Sequence, residues 1–377
     1  MAIELVAGHA ERLTAFLELP HRLYADDRRW IPAEDGALRR WLCATDSSQR
    51  SAPLATSAHF IGRAGGRTAA RISAFINDAL VDADGNRVGA LGLFEAEHDP
   101  ALTQDLIATA RAWLRETRGV TRAWGPLNFD IWRGYRCMTE GFDAEPFAGE
   151  PYNKRYYPGL LERCGATERF AWRSYEGSDR GWAVAAHARG REQRDELAAR
   201  GYRFEALDAG RLDDELRKLH ALMIRSFARF PAFTPLSAGE FGALTRPLAA
   251  AIVPGGAYFV RDPDGDCCGF AVALLDLAGT LRAVRRAGGP TARARPACCQ
   301  PAAQRVLFEL VGVTPEAAKR GPGLGRALVT QVLGALLEAG YVRFVAPLIG
   351  YGNVSRGLVG ATDRLRARRY ALYEWRS

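Results

Sequence analysis

The stretch Arg305–Gly340, RVLFELVGVTPEAAKRGPGLGRALVTQVLGALLEAG, leaves the chain little freedom in what it can fold into. Its opening, Val306 to Val313, is apolar and β-branched, the composition of a buried strand. A polar loop and the run Arg320-Gly321-Pro322-Gly323-Leu324-Gly325 follow. From Arg326 to Ala339 apolar residues recur at helical spacing, with Val329, Val332, Leu333, Leu336 and Leu337 on one stripe and Gly340 as a stop. Glycines between a strand and a helix let the backbone turn tightly and approach a ligand, and the helix start offers unpaired N–H groups at the positive end of its dipole. The product is a socket for a phosphate or pyrophosphate. Pro322 has no N–H, so the donors are Gly321, Gly323, Leu324, Gly325 and Arg326, with charge added by Arg320 and Arg326.

The loop lacks the Lys-Ser/Thr of a Walker A motif, and its glycines at 321, 323 and 325 miss the dinucleotide spacing. Arg-x-x-Gly-x-Gly, after a strand ending Val-x-Val and before a long amphipathic helix, resembles the acyl-CoA pyrophosphate loop of the GNAT acyltransferase superfamily. The resemblance implies an α/β (α+β) fold with a mixed, twisted sheet splayed around an acyl-CoA co-substrate, acetyl or long-chain, and no metal. It implies that the strand holds the pantetheine arm through Leu310, Val311 and Val313, with a backbone N–H facing the thioester oxygen. A tyrosine of the closing segment, Tyr373 or Tyr370, would protonate the leaving thiolate, and Asn353 and Ser355 would contact the cofactor's thioester end. The residues themselves point to Glu309 as the general base: it is a carboxylate in an apolar strand, where burial raises its pKa. The alternative is a strand-end carboxylate paired with an arginine. No Ser-His-Asp or Cys-His signature is present, in keeping with direct attack.

A chain of 377 residues accommodates two ordinary domains. The first half repeats the architecture of the second: a hairpin over residues 59–76, a strand at Val88–Glu95, a helix from Asp99-Pro100 to Gly119, and a strand at 121–125. Where the second half has its glycines, the first has Glu95-Ala96-Glu97-His98-Asp99-Pro100, whose carboxylates repel a pyrophosphate. The reading is therefore two GNAT-like halves, each a mixed sheet flanked by helices: residues 1–178 without a CoA loop and 179–377 with one. The boundary is placed in the weakly periodic residues 175–190. Between Gly125 and Ala166 lies a rigid aromatic segment, too long and too apolar for an idle loop. Its G-P-x-N-F, G-F-D and Y-N-x-x-Y-Y-P motifs are similar to those of a group of bacterial GNAT-like proteins. The similarity implies an acceptor or acyl pocket lined by Asn128, Trp132, Tyr135, Tyr152, Asn153, Tyr156 and Tyr157; the alternative is that these side chains pack an interdomain core.

The remaining sequence reads as a helix at the N-terminus, a helix near Asp35–Leu42, a polar loop at 47–57, a strand at 202–207, helices over 212–230 and a hairpin at 257–275. Residues 280–304 read as a polar, Arg-rich mobile insert, 342–349 as a strand, 353–360 as a short helix and 369–375 as the strand that closes the sheet. The net charge of +8 suits a polyanionic cofactor or an anionic membrane surface, and equally an ordinary Arg-rich surface; no nucleic-acid module is recognisable. Seven cysteines, two pairs of them vicinal, favour reduced thiols over a zinc site. No secretion signal or membrane-spanning run is evident, so the expected location is the cytoplasm, with the inner membrane face as an option. The expected activity is acyl-CoA-dependent N-acylation of a small-molecule or lipid amine, the specific form being a long-chain acyl group placed on a lipid amine, as in ceramide synthesis. Acetylation of a small amine or amino acid, and a non-catalytic acyl-CoA-binding scaffold or sensor, are the alternatives.

Overall fold

The computed structural model describes residues 1–42, 56–286, 304–350 and 365–376. In chain order the first half contains β1 (Ala2–Leu5), α1 (Ala10–Leu23), α2 (Asp35–Leu42), β2 (Ser57–Ala64), β3 (Arg67–Val81), β4 (Arg87–Ala96), α3 (Pro100–Arg118), β5 (Ala123–Gly125), β6 (Cys137–Glu140), α4 (Tyr157–Arg163) and β7 (Thr167–Gly177). Then come α5 (Arg180–Ala199), β8 (Arg203–Ala206), α6 (Leu212–Phe227), α7 (Ala238–Thr245), β9 (Ile252–Arg261), β10 (Cys267–Leu275) and α8 (Ala278–Arg286). The last elements are β11 (Arg305–Val313), α9 (Pro315–Arg320), α10 (Leu324–Glu338), β12 (Arg343–Gly350) and β13 (Arg366–Trp375).

Local chemistry accounts for the best-marked elements. Asp99 caps α3 by accepting from the Leu102 N–H, Pro100 occupies the first turn, and Gly119 ends the helix at φ 65°. On α10 Leu328, Val332, Leu333 and Leu336 are buried against the sheet, each contributing roughly 1.5–3 kcal/mol by leaving water. The hairpins β2–β3 and β9–β10 form as their turn sequences dictate.

All the strands of the described residues join one mixed sheet in the order β1-β2-β3-β4-β5-β13-β7-β12-β11-β10-β9-β8, with β6 paired to β13. Two parallel pairs, β4–β5 and β11–β12, mark the repeated half-architecture. Each half gives a strand to the other. The first half's β7 pairs with β12, and the closing strand β13 lies between β5 and β7. The segment 369–375 thus stands at the middle of the sheet, not at its margin.

Other expectations need correction. Residues 175–190, weakly periodic in sequence, are mostly regular structure: β7 runs through Gly177, and α5, capped by Asp179, starts at Arg180. A short strand, β1, precedes the first helix. The polar loop after Val313 is largely the helix α9, capped by the Thr314 side chain. The expected insert at 280–304 begins as the helix α8; residues 287–303 lie outside the described residues, as do 43–55 of the polar N-terminal segment and the 353–360 helix.

Candidate active site

The parallel pair β11–β12 holds for Arg305↔Arg343, Val306↔Phe344 and Leu307↔Val345, and then the strands part. Beyond that point β11 pairs on its other edge with β10, and β12 with β7. A wedge opens between them with half of the β11 backbone groups facing it, unopposed by another strand among the described residues. At the same point β11 carries a bulge. Two steps on β10 (Leu274 to Val272) face three on β11 (Leu307 to Leu310), so Phe308 and Glu309 share the space of one residue. A bulge of this kind re-aims a side chain.

Two cavities meet at the wedge. The outer cleft, about 1190 Å³, is bounded by Val311, Val313, Gly321, Gly323, Leu324, Gly325 and Arg326, with Phe170, Trp172, Phe227, Phe230 and Gln193 opposite. The inner cavity, about 1210 Å³, is walled by both halves of the chain. Val311, Phe227 and Phe230 line both spaces, so a group entering along the glycine loop reaches the inner cavity at Val311.

The glycine loop has the geometry of a ligand cradle, but two of the expected donors are already used: the Gly321 N–H donates to Ala317 O at 2.8 Å and the Leu324 N–H to Gly321 O at 3.2 Å. Gly323 occupies the left-handed region (φ 88°) as the residue before α10, and a side chain there would overlap Gln193. At Gly321 a Cβ would stand 2.8 Å from the Tyr202 hydroxyl. Arg320, by contrast, is not a wall of the cleft. Its guanidinium donates to Asp262 at 2.7 Å and Asp264 at 3.0 Å in the β9–β10 turn, anchoring the loop from behind. Asn353 and Ser355 lie outside the described residues.

Glu309 lines the inner cavity together with Leu310 and Val311. Glu309 is exposed toward the cavity it lines, with protein around its other sides. Burial raises its pKa, and the charge of Arg136 opposes the rise. Arg136, which the sequence reading did not single out, is 5% exposed and comes from the other half of the chain. Its guanidinium stacks 3.7 Å from the Tyr135 ring centroid and 4.2 Å from that of Trp172. Its Nε is buried without a hydrogen-bond partner, and burial depresses its pKa well below the ordinary arginine value.

The aromatic segment divides. Asn128, Trp132, Tyr135, Tyr152, Asn153 and Tyr157 line the inner cavity; Tyr156 does not, and packs on His98 with its hydroxyl on Ala96 O at 2.8 Å. Most of their polar atoms serve the fold. Asn128 accepts from the Leu93 N–H at 2.7 Å, Asn153 accepts from the Met138 N–H at 2.7 Å, and the Trp132 indole donates to Thr234 O at 2.9 Å. Tyr157 donates to Glu95, which also accepts from Tyr24. One face of this segment therefore walls the cavity, and its polar groups pack the interior.

The structure does not bring Tyr373 to the cavity. It sits in the first half's core and donates to Glu162 at 3.3 Å. Tyr370 is also buried, donating to Glu150, a cavity-wall carboxylate whose pKa burial pushes up to about 7 against the pull of Arg368. Among the described residues no group of three or more metal-ligating side chains occurs, and Cys137, Cys164, Cys267 and Cys268 are free thiols.

No family model matches the chain. It is 29% identical over 280 residues to the bacterial ceramide synthase of Caulobacter vibrioides, covering 71% of this chain and 70% of that protein. It is 26% identical over 284 residues to protein YghO of Escherichia coli K12, covering 71% of this chain and 69% of that protein. Among solved structures it resembles a tandem GNAT protein from the clavulanic acid biosynthesis pathway, with a TM-score of 0.50 and 14% identity over all of this chain and 98% of that one. The splayed parallel pair and the strand bulge, both repeated in the two halves, and the glycine loop at a helix start in the second half agree with that likeness: the chain has the fold of the GNAT superfamily, in its tandem form.

Proposed function

We propose that the chain transfers an acyl group from acyl-CoA to an amine by direct attack, with Glu309 as the general base. The observation that carries the reading is the junction at Val311, where the glycine-loop cleft meets a cavity lined by the carboxylate-bearing bulge residue Glu309. In this reading residues 179–377 form the unit that holds CoA and residues 1–178 the unit that completes the acceptor wall. The pyrophosphate rests on the N–H groups at the start of α10, and the thioester lies along the open edge of Leu310, Val311 and Val313. The amine nitrogen attacks the thioester carbon. The C–N bond forms, Glu309 takes the ammonium proton, the C–S bond breaks, and CoA leaves as the thiolate and takes up a proton.

A long acyl chain and a lipid amine, as in the ceramide synthase relative, are supported by the size and lining of the inner cavity. It exceeds the roughly 300–1,000 Å³ of common small-molecule pockets and is walled by Phe227, Phe230, Phe233, Phe241 and Phe308. Leu244 and Leu248 on its wall are 40% and 48% exposed, an apolar approach suited to a substrate delivered from a membrane surface, and no helix of the described residues is long and apolar enough to span one. The test is CoA thiol release from acetyl-CoA and palmitoyl-CoA over a panel of short and long-chain amines, with wild type and Glu309→Gln. The expected result is amine-dependent release favouring palmitoyl-CoA, reduced about 10²- to 10⁴-fold by the substitution while CoA still binds. Equal activity of Glu309→Gln would refute the assignment of the base, and binding without release on any amine would leave the scaffold alternative.

A further inference from the structure

The inner cavity contains a cation that the proposed chemistry does not use. Arg136 enters from the loop between Gly134 and β6, in the left-handed backbone region (φ 83°) and held there by its N–H on Pro126 O at 2.8 Å. A non-glycine residue in that region costs on the order of 1–3 kcal/mol and persists where surrounding structure imposes it. The flat guanidinium lies against Tyr135 and Trp172, with Phe230 6.0 Å away, so its plane is fixed by packing. Trp172 and Phe230 also wall the outer cleft, which locates Arg136 at the junction where the thioester and the amine must meet. Yet no acceptor among the described residues bonds to its guanidinium. Glu309 feels its charge, but no direct ion pair joins them. Leaving a buried guanidinium unpaired is costly, and the cost is recovered when a ligand supplies the acceptor.

We propose that Arg136 is a specificity-determining residue that receives an oxygen carried next to the acceptor's amine, so that the natural acceptor is a 2-amino alcohol or a 2-amino acid and not a plain alkylamine. The proposal rests on the acyl-transfer reading for the location of the amine beside Glu309. A carboxylate and a fixed guanidinium that line one cavity, near enough to feel each other's charge and not paired, suit a substrate that carries an oxygen close to its nitrogen. The guanidinium fork suits a carboxylate through two bonds and a hydroxyl through one.

The experiment compares three amines of equal chain length, an alkylamine, a 2-amino-1-alcohol and a 2-amino acid, on wild type, Arg136→Met and Arg136→Lys. Removing Arg136 also alters Glu309, which affects every amine. The readout is therefore the ratio of kcat/KM between an oxygen-bearing amine and the alkylamine, in which a change common to both cancels. One hydrogen bond to a charged group predicts a wild-type ratio of about 10- to 100-fold that falls to within about 3-fold in Arg136→Met. Arg136→Lys retains an intermediate ratio, and the melting shift given by palmitoyl-CoA reports that both variants are folded. Preference for the alcohol or for the acid identifies which oxygen is read. A wild-type ratio near one, or a ratio unchanged in Arg136→Met, overturns the proposal. Melting shifts given by the amines alone are recorded in parallel. Discrimination there without thiol release would retain the recognition role and remove the acyl-transfer reading.

Discussion

Gly323 and Gly325 are two residues apart in one loop, and the structure predicts opposite outcomes for the same substitution. Gly323→Ala puts a Cβ on a left-handed backbone, at about 1–2 kcal/mol. It also displaces Gln193, whose amide donates to Pro322 O at 3.4 Å, a long bond contributing about 0.5 kcal/mol. The sum is about 2 kcal/mol. With about 2.1 cal/mol/K of unfolding entropy per residue over 377 residues, roughly 0.8 kcal/mol/K, the melting temperature should fall by about 2–3 °C. Because the N–H groups of Gly323, Gly325 and Arg326 are the proposed pyrophosphate donors, distorting them should weaken CoA about 10-fold or more, the equivalent of one charge-assisted hydrogen bond. A Cβ at Gly325 meets nothing nearer than Val313 Cγ2 at 3.9 Å, so the helix start accepts it without a clash. Gly325→Ala lies in the first turn of α10 and should stabilise the protein by up to about 1 kcal/mol, with a smaller loss of CoA affinity than Gly323→Ala because the backbone N–H groups stay in place. Differential scanning fluorimetry of each variant, alone and across a CoA titration, reads both quantities. If the two variants lose CoA affinity equally, the cradle is not built around Gly323 and the argument fails.

Glu150 gives a pH signature: its pKa is raised to about 7 in the folded protein, so the native state holds a proton that the unfolded chain releases near 4.5. Its contribution is therefore fully present below about 4.5 and lost as pH rises through about 7, so the stability advantage of wild type over Glu150→Gln should shrink by on the order of 3 kcal/mol across that window in urea denaturation. A difference that grows with pH would show that Arg368 and Tyr370 outweigh burial. Where α5 crosses α10, a Cβ at Gly190 would overlap the Thr330 hydroxyl, so Gly190→Ala should destabilise by about 1–3 kcal/mol and Thr330→Ala added to it should restore most of the loss. Independent, additive effects in that double-mutant cycle would argue against the close crossing. Arg320→Ala should lower the melting temperature by removing its pairs with Asp262 and Asp264, while CoA affinity at 0.15 M salt stays within about threefold; a larger loss would return Arg320 to the cofactor contacts.

The elements that could be read from the sequence were those whose instructions are local. The Asp99-Pro100 start and Gly119 stop of α3, the two hairpins and the strand–glycine–helix unit depend on neighbours in sequence, and they form where the residues indicate. The misread region, β7 and α5, depends on distant partners. The charged residue Glu176 of β7 reads as surface, yet it is buried because Arg305 and Arg368, far along the chain, neutralise it. α5 shows no apolar stripe because its contact face uses Ala183 and Gly190, small residues selected by proximity to α10 rather than by hydrophobicity. The site followed the same division. Glu309 stood out as the charge in an apolar strand, whereas Arg136 was one arginine among many in an irregular loop, and only the stacking of Tyr135 and Trp172 marks it. Tyr373 was drawn from the family's closing segment, and the strand exchange carries that segment into the opposite half's core.

That exchange shapes how the protein can be made. While the ribosome works, β5 waits with an unpaired edge from Gly125 until Arg366–Trp375 has been synthesised, on the order of 10–50 s at ~5–20 residues per second. An exposed strand edge is a template for pairing with other nascent chains, so this interval is when the chain most needs a chaperone. No single cut separates the two half-sheets into complete units, because each would lose its inner strand to the other fragment. A tandem protein assembled this way inherits as one piece: a recombination event that swaps either half must also bring a compatible strand from the other.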